Sequence, residues 1–180
     1  MYFITSNKNK VKEFKSFIGI NIKQISIDIK EIQSFKVEDV VVDKVKKAFQ
    51  IVKKPIFVED SGLYINCLNG LPATFIKYFL KTIGNDGIYN IVSNYNDKTA
   101  IAKTSIAFYD GKVLKVFSGI TKGIITKPRG NNGFGWDCIF IPEGSNKTFA
   151  EMSLEEKNKF SMRIKALMKL KRFINNYNIL

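Results

Sequence analysis

Six polar residues, Thr5-Ser6-Asn7-Lys8-Asn9-Lys10, stand between the apolar run Phe3-Ile4 and the pattern Val11, Phe14, Phe17, Ile18. That second pattern has the spacing of a helix with one buried face. The polar cluster therefore falls at a helix start, where unpaired backbone N–H groups and the helix dipole favour negative charge. Hydroxyls, amides and ammonium groups gathered there have the chemistry of an anion site, phosphate above all. The same residues also suit a solvated, capped helix start, because Ser and Asn are good caps.

Carboxylates bring a second chemistry. Val58-Glu59-Asp60-Ser61-Gly62 sets Glu59 and Asp60 at the end of a short apolar run. Ligand sites in open α/β sheets gather at the carboxyl ends of strands. Acids there, in a basic chain, are candidates for Mg2+, which takes carboxylate and water oxygens and bridges phosphates. A plain acidic turn, bent at Ser61-Gly62, is the alternative. Glu31 is a third acid leaving a strand-like run. In Gly133-Phe134-Gly135-Trp136-Asp137, two aromatics alternate around a glycine. They either sandwich a base, at about 1–3 kcal/mol per stacked base, or tuck into the core. Lys157 and Arg163 can neutralise phosphate and donate to a ring carbonyl, or simply coat a basic helix face.

The elements that must position these groups follow from periodicity. Residues 2–5 read as a strand, about 10–18 as a helix, and about 22–29 as a strictly alternating strand. A helical stripe runs from Val37 to about Lys53 and stops before Pro55. Residues 55–58 read as a short buried strand, interrupted by Glu59-Asp60-Ser61-Gly62, after which residues 63–68 alternate like a strand again. Helices are expected near 73–82 and 86–94. Two β-rich runs flank Asp110-Gly111, a hairpin signal. A Gly/Asn-rich loop leads into a strand from Cys138, and the capping box Ser153/Glu156 opens a C-terminal helix with a break near Ser161. With no repeat and no linker, this is one domain over 1–180: α/β, a mixed sheet with flanking helices and a twisted hairpin lobe.

Composition narrows the classes. The 180 residues are 45% hydrophobic, with 15 Phe and 7 Tyr, enough for a bulky core. The net charge of +13 attracts polyanions, but the lysines are dispersed and no recognised nucleic-acid motif is present. A basic nucleic-acid-binding module remains the rival class; steep salt dependence of duplex binding without nucleotide turnover would mark it. The expected reading is no nucleic acid and no membrane as partners, since no apolar run is long enough to span a bilayer. The absence of histidine excludes a His-dependent triad, His metal ligands and a His general base. Cys67 and Cys138 lie far apart, outside any CxxC spacing, and read as reduced thiols of a cytoplasmic protein.

Taken together, "TSNKNKVKE", "EIQ", "VEDSGLYINCLNGLP", "GFGWDCIFIPEG" and "TFAEMSLEEKNKFSMR" resemble the inosine triphosphate pyrophosphatase family in order and approximate spacing over nearly the whole chain. The resemblance implies an elongated α/β fold of two lobes around a nucleotide-binding cleft, usually a homodimer. It implies Mg2+-dependent hydrolysis of non-canonical purine triphosphates (ITP, dITP, XTP) to the monophosphate and pyrophosphate. A same-fold enzyme for pyrimidine or modified nucleotides is the sibling reading. Carried over residue by residue, Ser6, Asn7 and Lys10 grip the triphosphate, with Thr5 and Lys8 in the same loop. Glu31 and Asp60 hold Mg2+, and Asp60 orients or deprotonates the attacking water, with Ser61 beside the phosphates. Lys44 and Lys77 match further substrate-binding lysines. Phe134 and Trp136, around Gly135, stack on the base, and Asp137, Lys157 and Arg163 complete the pocket. Three positions depart from the family pattern. Met162 stands where the histidine of Ser-His-Arg is usual, Cys138 where proline is, and Ala73 where glycine is. At Met162 a backbone N–H beside Arg163 is the expected contribution.

Overall fold

The computed structural model describes residues 1–19 and 22–177. Strands are β1 (Tyr2–Ile4), β2 (Lys23–Ile25), β3 (Ile56–Ile65), β4 (Pro72–Ala73), β5 (Thr99–Tyr109), β6 (Leu114–Ile125) and β7 (Phe140–Pro142). Helices are α1 (Lys8–Ile18), α2 (Val37–Val52), α3 (Ile76–Thr82), α4 (Gly84–Ser93), α5 (Leu154–Phe160) and α6 (Met162–Asn176). Among the described residues the strands form one mixed sheet in the order β2-β1-β3-β5-β6-β7, with β4 paired to β3. β1 runs parallel to β2 and β3, while the β3–β4 and β6–β7 pairs are antiparallel.

Two strand expectations are corrected. The run 22–29 does not pair as a whole: only Lys23–Ile25 joins the sheet, because its partner β1 is three residues long and the ladder ends at Ile4↔Ile25. Glu31 thus lies in an irregular segment rather than at a strand end. Nor does Glu59-Asp60-Ser61-Gly62 interrupt anything. β3 is one ten-residue strand, held at its start by Tyr2↔Ile56 and Phe3↔Phe57 and at its end by Leu63↔Ala73 and Tyr64↔Pro72. Polar composition suggested a turn; hydrogen-bonded flanks keep the backbone extended.

The chain clusters into two compact units, one of residues 1–61, 104–119 and 163–180, the other of 62–103 and 120–162. Each has its own core. In the first, Phe3, Phe14 and Phe57 stack with ring centroids 4.3–5.5 Å apart, fastening α1 to β1 and β3. This stack fixes the loop between β1 and α1. Ile106, Phe108, Ile164, Leu167 and Leu170 extend the same core. In the second, Leu63, Ile65, Ile88, Val92, Phe140 and Phe149 are fully buried or nearly so.

Local signals behave as the sequence reading expects. Asp110 Oδ1 accepts from the N–H groups of Lys112 and Val113 and closes the β5–β6 turn. Ser153 and Glu156 form the reciprocal capping box of α5. The helix breaks at Ser161, whose φ −61°, ψ 124° is extended, and α6 starts at the next residue. Ala73 sits at φ +53°, in the left-handed region that glycine enters without strain, which accounts for the glycine usual there. Among the described residues no helix is long and apolar enough to cross a membrane.

Candidate functional site

The first unit gathers most of the expected phosphate-end residues. Asn7 caps α1: its side chain accepts from the N–H groups of Asn9 and Lys10, at 2.9 and 3.2 Å. Thr5 Oγ1 accepts from Asn7 N–H at 3.1 Å, which shapes the loop, while Ser6 and Lys8 are exposed. Of the two readings of this segment, the capped helix start therefore describes Asn7. The first turn of α1 has no acid to balance the dipole. Instead, Lys10 turns onto β3. Its Nζ lies 3.4 Å from Glu59 Oε1 and 3.7 Å from Asp60 Oδ1, and it donates to the Glu59 carbonyl at 3.2 Å.

Strand alternation separates the two acids of β3. Asp60 is partly exposed, with its side chain 23% accessible. Glu59 points inward and is 1% exposed. There Arg163 Nε donates to Glu59 Oε2 at 3.1 Å, and Arg163 Nη1 donates to Glu13 on α1. Ser61 Oγ donates to Glu59 Oε1 at 2.9 Å and lies 2.7 Å from Thr104 Oγ1 on β5. Arg163, expected at the base, is thus committed to two buried carboxylates of its own unit. Glu13 and Thr104 escaped the sequence reading. Glu13 left one signal: it is a charged residue inside the apolar stripe of α1, between Val11 and Phe14.

Burial alone would raise the Glu59 pKa, but the charges of Arg163 and Lys10 and the hydrogen bonds from Arg163 and Ser61 outweigh it and hold it at about 2, against an ordinary 4.5. A folded-state pKa below the unfolded one gives stability that is complete above the unfolded value and lost as pH falls through the folded one. The shift is equivalent to about 3 kcal/mol. Urea midpoints should therefore fall as pH is lowered from about 4.5 towards 2, and Glu59→Gln should flatten that dependence. An unchanged slope in the variant would remove Glu59 as its source.

Glu31 pairs with Lys44 of α2. Burial acts to lower the Lys44 pKa, yet Asp60 first and Glu31 next hold it above the ordinary lysine value. Glu31 and Asp60 therefore act on one cation. Among the described residues no three His, Cys, Asp or Glu side chains form an ion cage. One carboxylate paired with Lys44 and a second whose charge acts on it do match the sparse protein donor set with which Mg2+ binds alongside substrate phosphates.

The second unit holds the aromatic loop. Trp136 is 7% exposed, edge-on to Phe140 at 5.4 Å and tilted on Phe149 at 6.4 Å. Of the two readings of this loop, the core one describes Trp136; Phe134 stays half-buried. Asp137 Oδ2 accepts from Phe134 N–H at 2.8 Å and from Lys157 Nζ at 2.7 Å, and both charged side chains are buried. Lys157 Nζ also lies 5.2 Å from the Phe134 ring centre. A Cβ on Gly133, at φ +80°, would sit 2.2 Å from Asp137 Oδ2, so the turn that admits this carboxylate requires glycine. Asn85 Nδ2 donates to the Gly135 carbonyl at 2.9 Å, a contact with no sequence signal. Met162 is 2% exposed in the core, and Lys77 is exposed on α3. Cys67 and Cys138 are free thiols.

These features define a mixed-sheet α/β protein with a lysine–carboxylate cluster at a helix head and an aromatic loop built around a buried ion pair. Residues 1–173 match the Ham1 family, and the chain belongs to that family. An inosine triphosphate pyrophosphatase of Schizosaccharomyces pombe is 42% identical over 178 residues, covering 97% of this chain and 94% of its own length. A dITP/XTP pyrophosphatase of Pyrococcus horikoshii is 48% identical over 172 residues, covering 93% and 92%. The solved structure of a HAM1 protein from Coxiella burnetii superposes with a TM-score of 0.83 at 27% identity, covering 98% of this chain and all of that one.

Proposed function

We propose that this protein hydrolyses the non-canonical purine triphosphates ITP, dITP and XTP to the monophosphate and pyrophosphate, removing them from the nucleotide pool. The observation that carries the proposal is Lys10 beside the partly exposed Asp60, at the N-terminus of α1. Relatives spanning nearly the whole chain that are named for these activities support it.

In this reading, Thr5, Ser6, Asn7, Lys8 and Lys10 receive the triphosphate, using side-chain donors and the backbone N–H groups of the helix start. Lys44 and Lys77 add positive charge. Glu31 and Asp60 hold Mg2+, which supplies neutralisation of the phosphate oxygens when bound. Asp60 orients the water and takes its proton as the bond between the α- and β-phosphates breaks; Ser61 lies beside the phosphates. A carboxylate base needs no histidine, so the composition is no obstacle. Phe134 offers a stacking face for the base. Asp137 and Lys157 fix Phe134 through the loop backbone and ring, Trp136 packs on Phe140 and Phe149, and Met162 contributes a backbone N–H by resemblance. A cytoplasmic homodimer belongs to the same reading, by resemblance.

Pyrophosphate release from ITP, dITP, XTP, ATP, GTP, CTP and UTP tests the proposal. The Lys157 ammonium beside the Phe134 ring is the donor to a 6-oxo group, whereas adenine's 6-amino group opposes it with another donor. Such a mismatch costs about 1–3 kcal/mol, or roughly 5- to 150-fold. ITP and XTP should therefore exceed ATP in kcat/KM by that range. Equal turnover of ATP and ITP would sink the reading.

A further inference from the structure

We propose that Glu59 is a positioning residue for triphosphate binding: a buried anion that sets the Lys10 ammonium and the Ser61 hydroxyl in place for the phosphates. This rests on the function proposed above.

Glu59 makes more contacts than Arg163 alone requires. Arg163 has Glu13 as a second carboxylate partner. Glu59 nevertheless directs Oε1 towards Lys10, at 3.4 Å, and accepts from Ser61 at 2.9 Å. Lys10, from α1, and Ser61, two residues along β3, belong to the phosphate-binding set assigned above. Its own side chain has no exposed area, so it touches neither phosphate nor metal and acts only through its neighbours. Arg163 Nη2 lies 3.5 Å from Ser61 Oγ, which ties the hydroxyl to the same charge pair. The long Lys10 side chain and the Ser61 hydroxyl would otherwise be ordered at the moment of binding, with a loss of affinity. A fixed anion beneath them makes that ordering part of folding.

Tripolyphosphate and inosine serve as separate probes, measured by calorimetry on the full chain. Glu59→Gln keeps shape and removes charge. It should weaken tripolyphosphate binding by about tenfold or more, leave inosine binding within about twofold, and still unfold cooperatively. The double variant Lys10→Ala/Glu59→Gln should lose less than the sum of the single losses, because the two residues act as one unit. Ser61→Ala removes one hydrogen bond to Glu59 but leaves its ion pairs with Arg163 and Lys10, and should cost severalfold in tripolyphosphate affinity even if the glutamine variant folds poorly. Wild-type affinity for tripolyphosphate in Glu59→Gln, equal weakening for both probes, or additive losses with Lys10→Ala would each overturn the positioning role. Failure of the wild-type protein to bind tripolyphosphate would instead overturn the functional reading on which it rests.

Discussion

Arg163→Ala should lower the unfolding free energy by about 3–5 kcal/mol, the usual consequence of removing one partner from a buried ion pair. Arg163 is 3% exposed and stands between Glu13, 7% exposed, and Glu59, 1% exposed. Truncation leaves two desolvated carboxylates facing each other across the space of a guanidinium. Lys10 remains 3.4 Å from Glu59 Oε1 but does not replace the Arg163 hydrogen bond to Glu13. Against a typical total of about 5–15 kcal/mol, the loss is large enough to read directly from urea midpoints. Arg163→Lys should recover only part of it, because a single ammonium cannot serve both carboxylates in the guanidinium's geometry. Adding Glu13→Gln to Arg163→Ala should restore some stability by removing one stranded charge. A loss under about 1 kcal/mol would show that the pairs are not a main support of this unit.

Asp60→Asn should leave the protein folded and lower kcat by about 10²- to 10⁴-fold, the range for removing a positioned general base. The change preserves shape and removes the charge that faces Lys10 and acts on Lys44. Asp60 Oδ1 also accepts from Ser61 N–H at 2.8 Å, and an asparagine oxygen can keep that bond, so the local backbone should hold. Glu31→Gln should instead impair use of Mg2+ and be partly rescued by excess metal. Steady-state kinetics with ITP, alongside melting curves, separates these outcomes. Near-normal turnover by Asp60→Asn would remove Asp60 from its assigned role.

Much of the molecule was legible in short stretches of chain. The Asn7 cap, the Asp110 turn, the Ser153/Glu156 box and the break at Ser161 all close hydrogen bonds over a few residues, so local residue types suffice to determine them. Helical stripes such as Val37, Val41 and Val45 are equally local, because one face of a helix repeats within two turns. The residue types around the head of α1 were legible too, but lysines and amides there suit a capped, solvated helix start as well as an anion site. Tertiary structure decided the rest. Whether Glu59-Asp60-Ser61-Gly62 bends or stays extended depends on strands paired to either side, and β1 is more than fifty residues away along the chain. The partner of Arg163 could not be read locally, since Glu59 and Glu13 lie 104 and 150 positions from it. Trp136 has the composition of a stacking residue, but Phe140 and Phe149 enclose its ring. In each case a side chain's role follows from which neighbour desolvates or neutralises it. That neighbour is supplied by the packing of distant segments, so residue type determined the chemistry available here and the fold determined which of it each residue uses.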